Sequence, residues 1–137
     1  MYKSIIFDIG GVMVDFDPKA YLVDRLCSAE MEEKVYDLTF GSEEWKKLDA
    51  GLISRFEGNA TMLKNAQAAG CEFEVQGVLD DWTHILRPRH RMIELVRRLK
   101  NHGYCVYYLS NIPEDILELL TARGVLDGRR WSQYTTQ

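Results

Sequence analysis

The sequence is short of cysteine, of excess positive charge and of long apolar runs, and each shortage removes a class of protein. Cys27, Cys71 and Cys105 make three thiols, an odd and scattered set without metal-ligand spacing, which predicts reduced and mostly buried side chains. Formal net charge is −4 with a pI near 5.4, so nothing points to nucleic acid or to an anionic membrane surface as partner. No apolar stretch approaches the ~20 residues needed to cross a bilayer. The first strand begins within a few residues of Met1, which leaves no room for a signal peptide. A cytoplasmic location is the expectation. His84, His90 and His102 share no motif spacing with one another or with a carboxylate, and are expected at the surface.

What is present is an ordinary folding alphabet. The 137 residues are 46% hydrophobic and 28% charged, enough for one domain of common size and too apolar for a disordered chain. The organising stretch runs from Lys3 to Asp15. Ile5, Ile6 and Phe7 are a short apolar run that suits a buried parallel strand. Asp8 follows at the carboxyl end of that strand, where open parallel sheets bind their ligands. Gly10 and Gly11 then allow a sharp turn and close approach of backbone to a bound group. A carboxylate so placed suits covalent attack or a hard cation such as Mg²⁺; it equally suits a turn cap.

A second strand, Tyr104 to Leu109, is rich in β-branched and aromatic residues and ends at Ser110-Asn111, just before a helix opening at Pro113. Between the two strands the pattern is helical. Asp17 with Pro18 starts one helix, with Leu22, Val23, Leu26 and Cys27 as its apolar stripe. Met31, Val35 and Leu38 mark a second, and Trp45 with Leu48, capped by Ser42, a third. Ser54 and Glu57 have capping-box spacing for a fourth, with Phe56, Ala60 and Leu63 on one face. Val75, Val78, Leu79 and Trp82 mark a fifth. Beyond Pro88, Met92, Leu95, Val96 and Leu99 give an amphipathic helix, with Arg89, Arg91, Arg97, Arg98 and Lys100 as its solvated side and C-terminal end. Ile116, Leu117 and Leu120 are the buried face of the last helix, closed by Gly124.

Phe7-Asp8-Ile9-Gly10-Gly11-Val12 followed by Leu109-Ser110-Asn111 resembles the first two motifs of the haloacid dehalogenase-like hydrolases, most closely the sugar-phosphate phosphatase and epoxide-hydrolase N-terminal branch. The resemblance implies an α/β fold with a Rossmann-like core, two of whose strands are legible here, and an inserted α-helical cap. Residues 1–16 and 87–126 would form the partial αβ core, residues 17–86 the helical cap, and residues 127–137 an irregular tail. It further implies a Mg²⁺-dependent phosphatase acting on a small phosphorylated metabolite, such as a sugar phosphate, through a phospho-aspartate on Asp8. In that scheme Asp8 and the Gly10 carbonyl bind the metal, while Gly11, Ser110 and Asn111 hold the phosphate. The general acid that many relatives carry two residues after the nucleophile is replaced here by Gly10, and Asp15 is a conceivable stand-in.

The family's later lysine and acidic metal-binding residues are not legible after Ser110; the last lysine is Lys100. The expectation is therefore that the C-terminal part of the family pattern is missing. A truncated, catalytically inactive relative is one alternative reading, and a 2-haloacid dehalogenase-like hydrolase is another.

Overall fold

The computed structural model describes residues 3–109 and 112–126. Ser110, Asn111 and the tail from Asp127 onward lie outside them. The chain divides into two units, Met1–Phe16 with Leu86–Gln137 and Asp17–Ile85.

In the first unit, β1 (Ser4–Asp8) pairs in parallel with β4 (Cys105–Leu109), Ser4 opposite Cys105 and Asp8 opposite Leu109. Short antiparallel strands β2 (Val14–Asp15) and β3 (Arg87–Pro88) form a second, two-stranded ribbon. Helix α6 (His90–Asn101) packs on β4 and joins it through Gly103, whose φ of +88° is a conformation that glycine adopts without strain. Helix α7 (Glu114–Ala122) follows, and Gly124, at φ +75°, ends it. The buried side chains alternate as a strand requires: Val106 and Tyr108 on β4 are closed off, with Val96 of α6, Ile116, Leu117 and Leu120 of α7, and Val125 and Leu126 after it.

The expectation that β1 is buried throughout does not hold among the described residues. Ile6 is 61% exposed and Leu109, at the end of β4 beside Asp8, 38%. A continuous apolar run announces a strand but does not say which of its faces is covered. Here the covered face is the one carrying Val106 and Tyr108, opposite Ile5 and Phe7 in register.

The second unit is all helical. Its helices are α1 (Pro18–Leu26), α2 (Ala29–Leu38), α3 (Glu43–Asp49), α4 (Arg55–Ala69) and α5 (Glu72–Asp81), followed by a 3-10 turn, Trp82–Ile85. Local chemistry starts most of them. Asp17 accepts from the Ala20 amide, Ser28 from Met31, Ser42 from Trp45 and Ser54 from Glu57, each satisfying one of the donors that a helix start leaves unpaired. The interior is aromatic. Phe40 meets Trp45 and Trp45 meets Trp82 edge-on, both at 4.8 Å between ring centres, a favoured geometry for such rings. The Arg55 guanidinium lies 5.7 Å and 5.4 Å from the Trp45 and Trp82 ring centres.

The buried face of α4 is not the one its large residues suggest. Phe56 is 85% exposed, and Gly58, Met62 and Ala66 face inward instead. The cause is close packing of α4 against α3: a Cβ on Gly58 would stand 2.8 Å from a methyl of Leu48. Only a residue without a side chain lets the two helices approach so far. Similarly, Cys27 is exposed rather than buried, because it ends α1 at a left-handed φ of 52°. Cys71 is buried and Cys105 half-buried. On α1 only Leu22 is buried, and Val23 is 52% exposed.

Candidate functional site

Asp8 closes β1 and is exposed. Its Oδ1 accepts the Ile9 amide at 2.8 Å, so the carboxylate is oriented by the turn it begins. That turn is tight: the Ile9 carbonyl accepts the amides of Val12, Met13 and Val14 at 3.3, 2.9 and 3.1 Å, and Gly11 donates to the Val14 carbonyl at 2.8 Å. Ile9, Met13 and Val14 are almost wholly buried beneath it. The loop is thus anchored from below by apolar side chains and held open above.

The two glycines divide the work. Gly11 adopts φ +76°, a conformation other residues rarely take, whereas Gly10 does not. At both, the position where a Cβ would stand has no heavy atom within 4 Å. The Gly11 amide is engaged within the loop, so what Gly11 offers a ligand is that open space. Leu109, in register with Asp8, is the last described residue of β4. Ser110 and Asn111 follow it directly in sequence but lie outside the described residues.

Asp15, considered above as a proton donor, is otherwise employed. The Arg89 guanidinium grips it by a fork, Nε at 3.0 Å from both carboxylate oxygens and Nη2 at 2.7 Å from Oδ1. This bidentate bond holds the Asp15 carboxyl below its ordinary range and raises Arg89 correspondingly. A carboxylate so stabilised is a poor acid at neutral pH. Arg89 is exposed, as expected of the solvated side, and is also committed to Asp15. Sequence reasoning missed the pair because its members stand 74 residues apart.

A second cluster joins helices of the all-helical unit. Asp81 accepts from Tyr21 Oη at 3.1 Å and Arg25 Nη1 at 3.2 Å, and lies 2.9 Å from His84 Nδ1. The His84 hydrogen bond is the main cause holding the Asp81 carboxyl below its usual range. The three histidines are exposed, but His84 has the carboxylate neighbour that its spacing did not announce. Burial pushes the half-buried Asp49 carboxyl up to about 6, against the opposing pull of Arg55.

Among the described residues no group of three or more His, Cys, Asp or Glu side chains could by itself hold a metal ion. The exposed Asp8 carboxylate and the Gly10 carbonyl two residues on are hard oxygen donors. Such a donor set fits Mg²⁺, which commonly binds through one or two carboxylates, with substrate phosphate and water completing its shell. Among the described residues no helix is long and apolar enough to cross a membrane.

No family model matches the chain. A sesquiterpene phosphatase of Aspergillus oryzae is 31% identical over 112 residues, 82% of this chain and 53% of that protein. The chain thus spans about half the length of the curated relative it matches. A HAD family enzyme of Bacteroides thetaiotaomicron, solved in complex with magnesium and inorganic phosphate, superposes with a TM-score of 0.62 at 18% identity, over 98% of this chain and 68% of that one. The parallel β1–β4 pair, the Asp8 turn and the structural likeness define an α/β fold of the HAD type. The chain shares the fold of that HAD family enzyme, and the two likenesses support the resemblance to the haloacid dehalogenase-like hydrolases carried by its motifs.

Proposed function

We propose that Asp8 is the nucleophile of a phosphatase that hydrolyses a small phosphate monoester. The observation that carries this reading is the register of β1 on β4, which sets the Asp8 strand end beside the Leu109 strand end that leads into Ser110. An Asp8 oxygen attacks phosphorus, the ester P–O bond breaks, and the leaving alkoxide takes a proton from solvent water, a proton that the water attacking in the next step returns to solvent. Water then attacks the phosphorus of the phospho-aspartate, the bond to Asp8 breaks, and inorganic phosphate and the free carboxylate are regenerated.

In this scheme the open space at Gly10 and Gly11 receives phosphate oxygens. Ser110 and Asn111 hold them with a hydroxyl and an amide. The Asp8 carboxylate and the Gly10 carbonyl would hold Mg²⁺, which would supply charge that offsets repulsion between nucleophile and phosphate. Asp15, held ionised by its fork with Arg89, is poorly suited to donate a proton. The inserted helical unit serves as the cap.

A phosphatase is favoured over a dehalogenase because the curated relative is described as a phosphatase and the structural neighbour is a complex with magnesium and phosphate. The same relative favours an apolar terpenoid alcohol over a sugar as the organic part of the substrate. Hydrolysis of a prenyl phosphate, a sugar phosphate and a generic aryl phosphate, each with Mg²⁺, tests both levels. Turnover of the prenyl ester well above the sugar ester supports the proposal. The reverse order would restore the sugar phosphate, and haloacid turnover without phosphate release would replace the reaction.

A further inference from the structure

The helical unit carries a cavity that the phosphatase reading does not use. It opens between α1 and α2, has a volume of about 480 Å³, and is lined only by residues of those two helices. From α1 come Lys19, Leu22 and Val23, the last 52% exposed. From α2 come two pairs four residues apart, Glu32 with Tyr36 and Glu33 with Asp37, a spacing that puts the members of each pair on one side of a helix. Tyr36 is held in place. A Cβ on Gly41 would stand 2.8 Å from its ring, so the bare glycine backbone is what lets the ring lie there, and Phe40 packs beside it at 6.4 Å between ring centres. The Lys19 ammonium stands 5.3 Å from the centre of the Tyr36 ring, within reach of a cation–π attraction. Three carboxylates thus line the cavity against one ammonium. Among the described residues none of Glu32, Glu33 and Asp37 meets an Arg, Lys or His at ion-pair distance.

We propose that this cavity binds a small organic ammonium ion with an apolar body, its head over Tyr36 among the three carboxylates and its body on Leu22 and Val23. The excess of negative charge selects a cation. The volume falls within the range of small-molecule sites, about 300–1,000 Å³. Lys19 marks the place that the head of the ligand takes. Its side chain is exposed, and its compact ammonium is strongly hydrated, so it returns to water at little cost. An alkylated ammonium brings apolar surface that gains from burial. A bare polyamine would meet the carboxylates and leave the apolar wall uncovered. The site goes beyond the phosphatase reading and stands whether or not Asp8 is a nucleophile.

The probe is benzyltrimethylammonium, titrated into the full chain while amide and aromatic chemical shifts are followed. Benzyl alcohol is the uncharged control and spermidine the hydrated polycation. The ammonium is expected to shift residues 19–23 and 29–37 and the Tyr36 ring, and both controls to bind there much more weakly. Tyr36→Leu, and Gly41→Ala, which displaces the ring, each weaken binding about two- to fivefold, the worth of an exposed cation–π contact. Glu32→Gln combined with Asp37→Asn weakens it as well. Lys19→Met, which removes the competing ammonium, tightens it. Amide shifts of α4 and α5 that stay in place show that each variant remains folded. Equal binding of benzyl alcohol or spermidine, binding unmoved by both Tyr36→Leu and Lys19→Met, or no shift at the cavity would overturn the proposal.

Discussion

Asp8 and Leu109 are register partners at the carboxyl ends of two parallel strands. The two strands are far apart in the chain, Asp8 ending one and Cys105 beginning the other, with the helical unit and α6 between them. That pairing gives the Asp8 carboxylate a neighbour from a distant segment, and with it the basis of a site. The loop after Asp8 is held by its own bonds, three amides converging on the Ile9 carbonyl beside a buried Met13.

The left-handed backbone at Gly11 has a cost for any other residue. Gly11→Ala, with a φ of +76° and no neighbour for its Cβ to strike, is expected to destabilise the chain by about 1–2 kcal/mol through backbone conformation alone. Gly10→Ala, with an ordinary φ, is expected to leave stability unchanged. Urea unfolding of both variants checks this; equal losses would show that φ is not the cause.

Two helical glycines should respond in opposite ways to the same change. Gly58→Ala drives a Cβ to within 2.8 Å of buried Leu48, and overpacking of about 1–3 kcal/mol outweighs the roughly 1 kcal/mol gained in helix propensity. At Gly77 the obstacle is Arg25 Nη2 at 2.5 Å, the tip of a partly exposed chain that can swing aside. Gly77→Ala is expected to be neutral or slightly stabilising. Thermal melts of the pair settle the comparison.

Asp49 should make stability fall with rising pH. Its carboxyl is raised by burial to about 6 from 3.8, so the folded state holds a proton that the unfolded chain has released. The favourable contribution is complete below about pH 3.8 and is lost as pH rises to about 6. For this half-buried group, screened by solvent, the swing is about 1 kcal/mol. Asp49→Asn is expected to raise the unfolding midpoint at pH 7 and to flatten the profile across that window. A midpoint lowered at pH 7 would mean that the ionised carboxylate is better compensated by Arg55 than burial implies.

Local signals were the legible part of this fold. Asp17, Ser42 and Ser54 start helices through bonds to residues three positions on, and each is visible in sequence because cap and recipient are neighbours. Both long strands and their parallel pairing follow from apolar runs ending in polar clusters. What escaped was set by distance or by smallness. Strands β2 and β3 have two residues each, too few to show a period, and exist because segments more than 70 residues apart meet, as Asp15 and Arg89 do. The inward face of α4 was hidden because Gly58 and Ala66 carry no apolar signal to compete with Phe56, although small residues are what close helix contact needs. At the candidate site, Asp8 and the two glycines could be read from a strand-end motif, whereas the commitment of the Gly11 amide and of Asp15 could not.

The central claim is that Asp8 attacks phosphorus, and trapping the intermediate tests it most directly. The chain is incubated with Mg²⁺ and an aryl phosphate, quenched in acid and digested, and the peptide containing Asp8 is weighed by mass spectrometry beside that of Asp8→Asn. The account predicts one added phosphoryl group on Asp8 in the unaltered chain, none in Asp8→Asn, and loss of phosphate release in that variant, since an amide neither attacks phosphorus nor binds the metal as an anion. Phosphate release that persists in Asp8→Asn, or a phosphoryl group on any other residue, would contradict it.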